Sequence, residues 1–383
     1  MNLSSTLKIF PAFLICVYSS HAIAQPDTLI KQKTKKYSTC WTLSYEQGAM
    51  ISNGSEVGDQ LAHSSYYNGL EAHLGLCMNN QSDIYNQLYR HPVVGFGWYA
   101  STFHQVAIGY PNAVYYFFKL PLFEGKDQKF SISFLGALGI SYNFNTYDSV
   151  TNPTNVYIGS DLNSYVNLAL MLNYRFNSKW VADLSFGLKH FSNGSIKLPN
   201  FGINLTPISL GITYKPKGFV PFTGERNVPR FIKNNQINIA LISAIKNYEI
   251  GEPGYLKAGI SINWLRMFTY KYRAGVGMDI FYAAQPESES QTTSTLSNSM
   301  SYGVVGSFEW VLNKHLYFPI GLGIYLKHHE SNDERTWYYE RIGFRYRLSN
   351  NLFAGVTIKA HKDVADIFEW TVGYTLNHDP NKY

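Results

Sequence analysis

The feature that most constrains this chain is period-two alternation. Apolar and polar or small residues alternate through segment after segment of roughly ten to thirteen residues, each closed by a polar turn. Successive side chains of a strand point to opposite faces, so each segment offers one apolar face and one mixed face. No internal run of about 18 apolar residues exists, which argues against a helical membrane span. Aromatic residues make up 16% of the chain, with 30 Tyr and 24 Phe, although mean hydropathy is only −0.17. Strands long enough to cross a bilayer, apolar on one face and rich in aromatics, are the pattern of a membrane β-barrel. The competing all-β solution is a set of soluble sandwiches, which the strand lengths, the aromatic load and the N-terminus disfavour.

In the first half the segments fall near 39–51, 66–78, 92–103, 112–122, 129–143, 163–176, 180–192 and 203–214. The longer connections, 52–65 and 145–162, are expected as external loops. Residues 215–234 break the alternation with three Pro, two Gly and a cluster of Lys and Arg, and read as a linker. Eight further segments follow near 236–247, 254–267, 271–283, 300–311, 315–327, 336–348, 352–361 and 367–377. The stretch 285–299, rich in Ser, Thr and Gln, is expected as another external loop. The halves look related: Tyr174-Arg175-Phe176-Asn177-Ser178 precedes one strand, and Tyr346-Arg347-Leu348-Ser349-Asn350 precedes another. That offset is even and preserves the phase, as an ancient duplication would. The expected fold is all-β: an antiparallel transmembrane β-barrel, as two tandem eight-strand units (25–214 and 235–383) or, alternatively, one sixteen-strand wall. An even strand number puts both termini in the periplasm.

The N-terminus reads as a signal peptide over 1–24. Lys8 supplies the basic start, Ile9 to Tyr18 an apolar stretch, and Ala22-Ile23-Ala24 a small-x-small cleavage site. This predicts export to the bacterial outer membrane. Two cysteines then remain, Cys40 and Cys77. In an oxidising compartment they form a cross-strand disulfide or stay as two buried thiols.

One strand ends in chemistry. Leu188-Lys189-His190-Phe191-Ser192-Asn193-Gly194 places His190 and Ser192 on one face, the arrangement an imidazole needs to take a proton from a hydroxyl nucleophile. Ala182, Leu184, Phe186 and Leu188 share their parity, so the pair is expected to face outward, toward lipid. A polar pair at the end of a lipid-facing stripe is costly unless it is interfacial or functional. On the next strand Asn204 and Thr206 share parity with Ile208, Leu210 and Ile212. Asn204 can fix the His190 tautomer, with Thr206 the second choice while the register is open. The Asn193 amide and the Gly194 N–H, at the turn after the hydroxyl, are candidates to hold an oxyanion.

The run His190-x-Ser192-Asn193-Gly194, followed by Asn200-x-Gly202 and a strand closing at Tyr214, resembles the PagL-type lipid A 3-O-deacylases over about residues 39–214. That family folds as an eight-strand outer-membrane barrel and removes an ester-linked acyl chain from lipid A. The resemblance implies His190 as base and Ser192 as nucleophile. It implies Asn193 and Gly194 as oxyanion donors, with Asn200 shaping the site. The substrate it implies is lipid A of lipopolysaccharide in the outer leaflet. The chain departs from the pattern in two ways. The third member in the family is usually an acid, whereas the matching residue here is Asn204, and no Asp or Glu occurs between Ser192 and Glu225. Outer-membrane phospholipase A is similar in using Asn with His and Ser. The chain is also about twice the family's length.

At the same offset His190 maps to Lys362 and Ser192 to Val364, so the second half is expected to be non-catalytic. No His, Cys, Asp and Glu set has metal-site spacing, and no Gly-rich loop follows a strand and opens a helix, so neither metal nor other cofactor is expected. The net charge of +6 is spread along the chain and does not point to nucleic acid. The expected activity is therefore serine-esterase chemistry on lipid A. The alternatives are a phospholipid acyl hydrolase and a non-enzymatic channel or structural barrel.

Overall fold

The computed structural model describes residues 37–221, 227–285, 296–348, 351–362 and 364–376. The expected signal peptide, most of the 285–299 loop and part of the 215–234 linker lie outside the described residues.

Alternation produces strands where the sequence places it. Strands β1 (Tyr37–Met50), β2 (Tyr66–Met78), β3 (Val93–Thr102), β4 (Gly109–Glu124), β5 (Phe130–Phe144), β6 (Asn163–Arg175), β7 (Trp180–Ser192) and β8 (Ile203–Tyr214) pair in chain order. β1 then pairs with β8, so the sheet closes on itself and leaves no edge. Strands β9 (Asn234–Lys246), β10 (Tyr255–Met267), β11 (Tyr272–Ala283), β12 (Met300–Val311), β13 (Leu316–Lys327), β14 (Tyr338–Arg347), β15 (Leu352–His361) and β16 (Val364–Leu376) form a second closed barrel through β9 and β16. The single sixteen-strand wall is thus excluded: β8 closes on β1 before β9 begins. With no water to serve an open edge in the bilayer, each eight-strand unit completes its own ladder of hydrogen bonds.

Two helical pieces interrupt the connections of the first barrel, and alternation gives no sign of them. Helix α1 (Glu56–Ser64) stands in the 52–65 loop, with Ser55 as N-cap accepting from the Gly58 N–H at 3.1 Å. Helix α2 (Ile84–Leu88) lies between β2 and β3, with Asp83 accepting from the Asn86 N–H at 2.9 Å. Both caps are of the residue types that favour this position.

The inward faces fill the lumens. In the first barrel Tyr67, Tyr99, Tyr115, Tyr165 and Phe191 belong to one buried cluster. Lys189, 1% exposed, forms ion pairs there with Glu46 and, at 2.9 Å, Glu71. Tyr165 donates to the same Glu71 oxygen at 3.0 Å. In the second barrel Arg341 bridges Asp279 and Glu369, and Lys257 meets Asp366. Eight-strand barrels have interiors that side chains can fill, and both of these are crossed by ion pairs. Cys40 and Cys77 face this interior as two free, buried thiols.

The barrels touch at two levels. Near the ends where even strands finish, the outward residues Phe118 and Leu120 are buried, whereas Val114 on the same face is 50% exposed. They pack with Leu312, Phe318 and Tyr89. The Tyr89 hydroxyl donates to the Val311 carbonyl at 2.5 Å and accepts from Trp310 Nε1 at 2.9 Å. The second level is at the opposite end, beside the end of β7.

Candidate active site

β7 carries its side chains in the expected phase. Leu184, Phe186 and Leu188 are exposed on the barrel's outer surface, while Asp183 and Lys189 are buried inside. His190 and Ser192 continue the outer stripe, but they are not open to it. His190 is half-buried and Ser192 is 2% exposed. The connection from Asn193 to Gly202 folds back over the end of β7 and covers the hydroxyl.

The β7–β8 register opposes His190 to Asn204. Asn204 Oδ1 lies 2.7 Å from His190 Nδ1. An amide oxygen only accepts, so Nδ1 carries the proton and Nε2 keeps its lone pair. Thr206, the other residue of matching parity, pairs instead across the β1 seam, where its hydroxyl donates to the Ala49 carbonyl at 3.4 Å.

Two donors converge on the Ser192 hydroxyl oxygen: the Gly194 N–H at 3.0 Å and the Asn200 amide at 3.0 Å. Gly194 and Ser195 both have positive φ, near 62°, and this tight reversal turns the Gly194 N–H back toward residue 192. Asn200 is held in turn, since its Oδ1 accepts from the Asn193 N–H at 3.1 Å. Among the described residues no hydrogen bond joins His190 to Ser192. Both side chains flank Gly202, where an added Cβ would stand 2.8 Å from His190 Cε1 and 3.4 Å from Ser192 Cβ.

Asn193 sits differently from its sequence expectation. Its amide nitrogen donates to Ser160 Oγ at 2.7 Å and to the Lys197 carbonyl at 2.9 Å. The side chain thus ties its own loop to the 145–162 connection. That connection also accepts the Gly202 N–H, through the Tyr157 carbonyl at 3.0 Å. On β6, Ser164 donates to the Ser192 carbonyl at 2.8 Å. Ser160 and Ser164 carry no sequence signal. Gly202 enters through the Asn200-x-Gly202 spacing, whereas contacts between separate loops and strands leave no residue pattern.

Among the described residues of the second barrel, no His and Ser occupy the offset positions. β15 ends at His361 and β16 starts at Val364, so the position offset from His190 is Lys362, in the short connection, and the one offset from Ser192 is Val364, the first residue of β16.

Residues 60–213 match the family model described as lipid A 3-O-deacylase (PagL), and residues 235–378 match acyloxyacyl hydrolase, C-terminal domain. No curated protein matches. Solved structures found by shape include the COG4313 outer membrane channel from Pseudomonas putida F1, at 11% identity and TM-score 0.20, over 92% of this chain and 99% of that one. They also include the Acinetobacter baumannii outer membrane protein Omp33, at 5% identity and TM-score 0.16, over 90% and 99%. A third is the P. putida toluene transporter TodX, at 9% and 0.18, over 89% and 90%. Scores this low carry no argument about this chain. The family models match both barrels in turn, and the chain belongs to the PagL family of lipid A 3-O-deacylases, outer-membrane β-barrel ester hydrolases, with the family's C-terminal domain as its second barrel.

Proposed function

We propose that this chain is a serine esterase that removes an ester-linked acyl chain from lipid A (3-O-deacylation), acting from the lipid-facing wall of its first barrel. The observation that carries the reading is the convergence on Ser192: two donors at 3.0 Å on its oxygen, with an imidazole of fixed tautomer on the same face.

Each residue then has a role. His190 Nε2 takes the Ser192 proton as Oγ attacks the ester carbonyl. The carbonyl oxygen becomes an oxyanion one bond from the new C–O link, within reach of the Gly194 N–H and the Asn200 amide. The protonated His190 returns its proton to the departing sugar oxygen. Water, activated by the same imidazole, then hydrolyses the acyl-Ser192 ester and frees the fatty acid. Asn204 holds the ring; being neutral, it orients the imidazole without offsetting the imidazolium charge. Asn193 braces the loop that carries both oxyanion donors.

The exposed apolar residues Phe186, Leu188, Ile208 and Leu210 continue the outward face of β7 and β8 below this site. They suit an acyl chain arriving from the outer leaflet. A channel reading is disfavoured by the ion pairs that cross both lumens.

The test is mass spectrometry of lipid A from cells expressing the wild type and Ser192→Ala, with heat-modifiable migration confirming that both are folded. A species lighter by one hydroxyacyl chain, seen only with the wild type, is expected. Identical lipid A from two folded proteins would overturn the reading, and loss of phospholipid acyl chains in its place would redirect it to a phospholipid hydrolase.

A further inference from the structure

The second barrel reaches the loop that covers Ser192. Gly194 lies against the Phe368 ring of β16, so closely that an added Cβ would overlap it, at 2.1 Å from Cδ2 and 2.7 Å from Cγ. The next residue is held from two sides. The Ser195 carbonyl accepts from the Asn247 N–H, just past the end of β9, at 2.7 Å, and the Ser195 hydroxyl donates to the Ala365 carbonyl of β16 at 3.4 Å. Asn247 is itself braced, its side-chain amide donating to the Glu252 carbonyl at 2.6 Å. Outward-facing Trp370, Val372, Tyr374 and Leu376 on β16 are all exposed, whereas Phe368 is half-buried.

We infer that the second barrel is a positioning element of the esterase, with Phe368 as its main contact. Resting on the reading of Ser192 as nucleophile, the inference is that Phe368 and the Asn247 N–H hold the Gly194–Ser195 reversal in the geometry that aims the Gly194 N–H at the reacting centre. The physical need is clear. Two consecutive residues with positive φ are a strained pair, one of them a non-glycine, and such backbone persists only where its surroundings over-determine it. The first barrel supplies Asn193 and Asn200 on one side of the reversal, and the second barrel supplies the other side. An oxyanion donor acts through placement, and misplacement by about 1 Å can cost about 100-fold in rate. Phe368 touches no substrate atom in this account; it acts through Gly194.

The experiment compares Phe368→Ala, Phe368→Leu and Asn247→Pro with wild type and Ser192→Ala in the full-length protein, in detergent micelles with purified lipid A, measuring kcat and KM separately. Phe368→Ala is expected to lower kcat about tenfold or more with KM within about twofold, because a displaced donor weakens transition-state binding and leaves ground-state binding alone. Phe368→Leu, which keeps most of the bulk, is expected to fall between Phe368→Ala and wild type. Asn247→Pro removes the N–H on Ser195 without touching Phe368 and is expected to give the same kcat-selective loss, so the test survives if either variant fails to fold. Wild-type kcat in any heat-modifiable, folded Phe368→Ala or Asn247→Pro protein overturns the inference. So does a loss that appears equally in KM, which marks a general disturbance of the barrel. If Ser192→Ala retains activity, the catalytic reading itself fails, and that result stands apart from any result at Phe368.

Discussion

Replacing Gly202 by alanine separates backbone strain from damage to the site. Gly202 has φ of 72°, and an added Cβ would stand 2.8 Å from His190 Cε1 and 3.0 Å from the Phe191 carbonyl oxygen. Phe191 pairs with Ile203 in the β7–β8 ladder, so its carbonyl is held by the sheet and the imidazole is the group that gives way. Reaching ordinary contact at 3.4 Å requires the ring to retreat by about 0.6 Å. That movement acts on the 2.7 Å bond to Asn204 that sets the ring's orientation and so shifts Nε2. Scaled against a cost of about 100-fold per 1 Å of misplacement, kcat falls by about tenfold or more. The left-handed backbone adds about 1–2 kcal/mol of destabilisation. Gly54 supplies the control, with φ of 78° and nothing within 4 Å of an added Cβ. Gly54→Ala therefore carries the same backbone strain without the collision. Urea unfolding midpoints should drop in both variants, further in Gly202→Ala, while the lipid A deacylation rate should drop only in Gly202→Ala. Equal kcat in the two variants would refute the contact argument, because strain alone would then account for everything observed.

Three further expectations follow from single contacts. Asn204→Ala removes the acceptor on His190 Nδ1 and should lower kcat by about tenfold, the worth of one orienting hydrogen bond, whereas Thr206→Ala should leave kcat unchanged; steady-state rates on both variants check the register. Lys189→Met leaves Glu46 and Glu71 buried without their cation and should cost about 3–5 kcal/mol, read as a lowered urea midpoint, with stability restored when Glu46→Gln and Glu71→Gln are added. Tyr89→Phe deletes the hydroxyl that links Val311 and Trp310 across the barrels and should cost about 1–3 kcal/mol, seen as earlier thermal unfolding with deacylation intact below the transition.

The alternation alone determined the strands, because a strand's side chains repeat every two residues and the apolar face must point away from water. It also fixed that His190 and Ser192 share a face, since the i, i+2 relation needs no partner strand. The Pro- and Gly-rich stretch at 215–234 marked the break between halves, but not whether each half closes. Closure is decided by hydrogen bonding between β1 and β8, residues far apart in sequence, and that is why one wide wall remained open as a reading. Helices α1 and α2 escaped notice because they are too short for a periodic apolar face to show, although Ser55 and Asp83 offered caps.

The finer geometry of the site belongs to the tertiary structure. Asn204 and Thr206 have equal parity, and only the inter-strand register opposes one of them to His190. Asn193 and Asn200 have the same donors and acceptors, and only the path of the loop turns the Asn200 amide onto Ser192 while committing Asn193 to Ser160 and Lys197. Ser192 is buried by the path of the loop that follows it, and the approach of Phe368 to Gly194 arises because chain segments distant in sequence fold onto one point. Strand periodicity is a local property of the sequence, whereas register, loop path and the packing of one barrel against another are not.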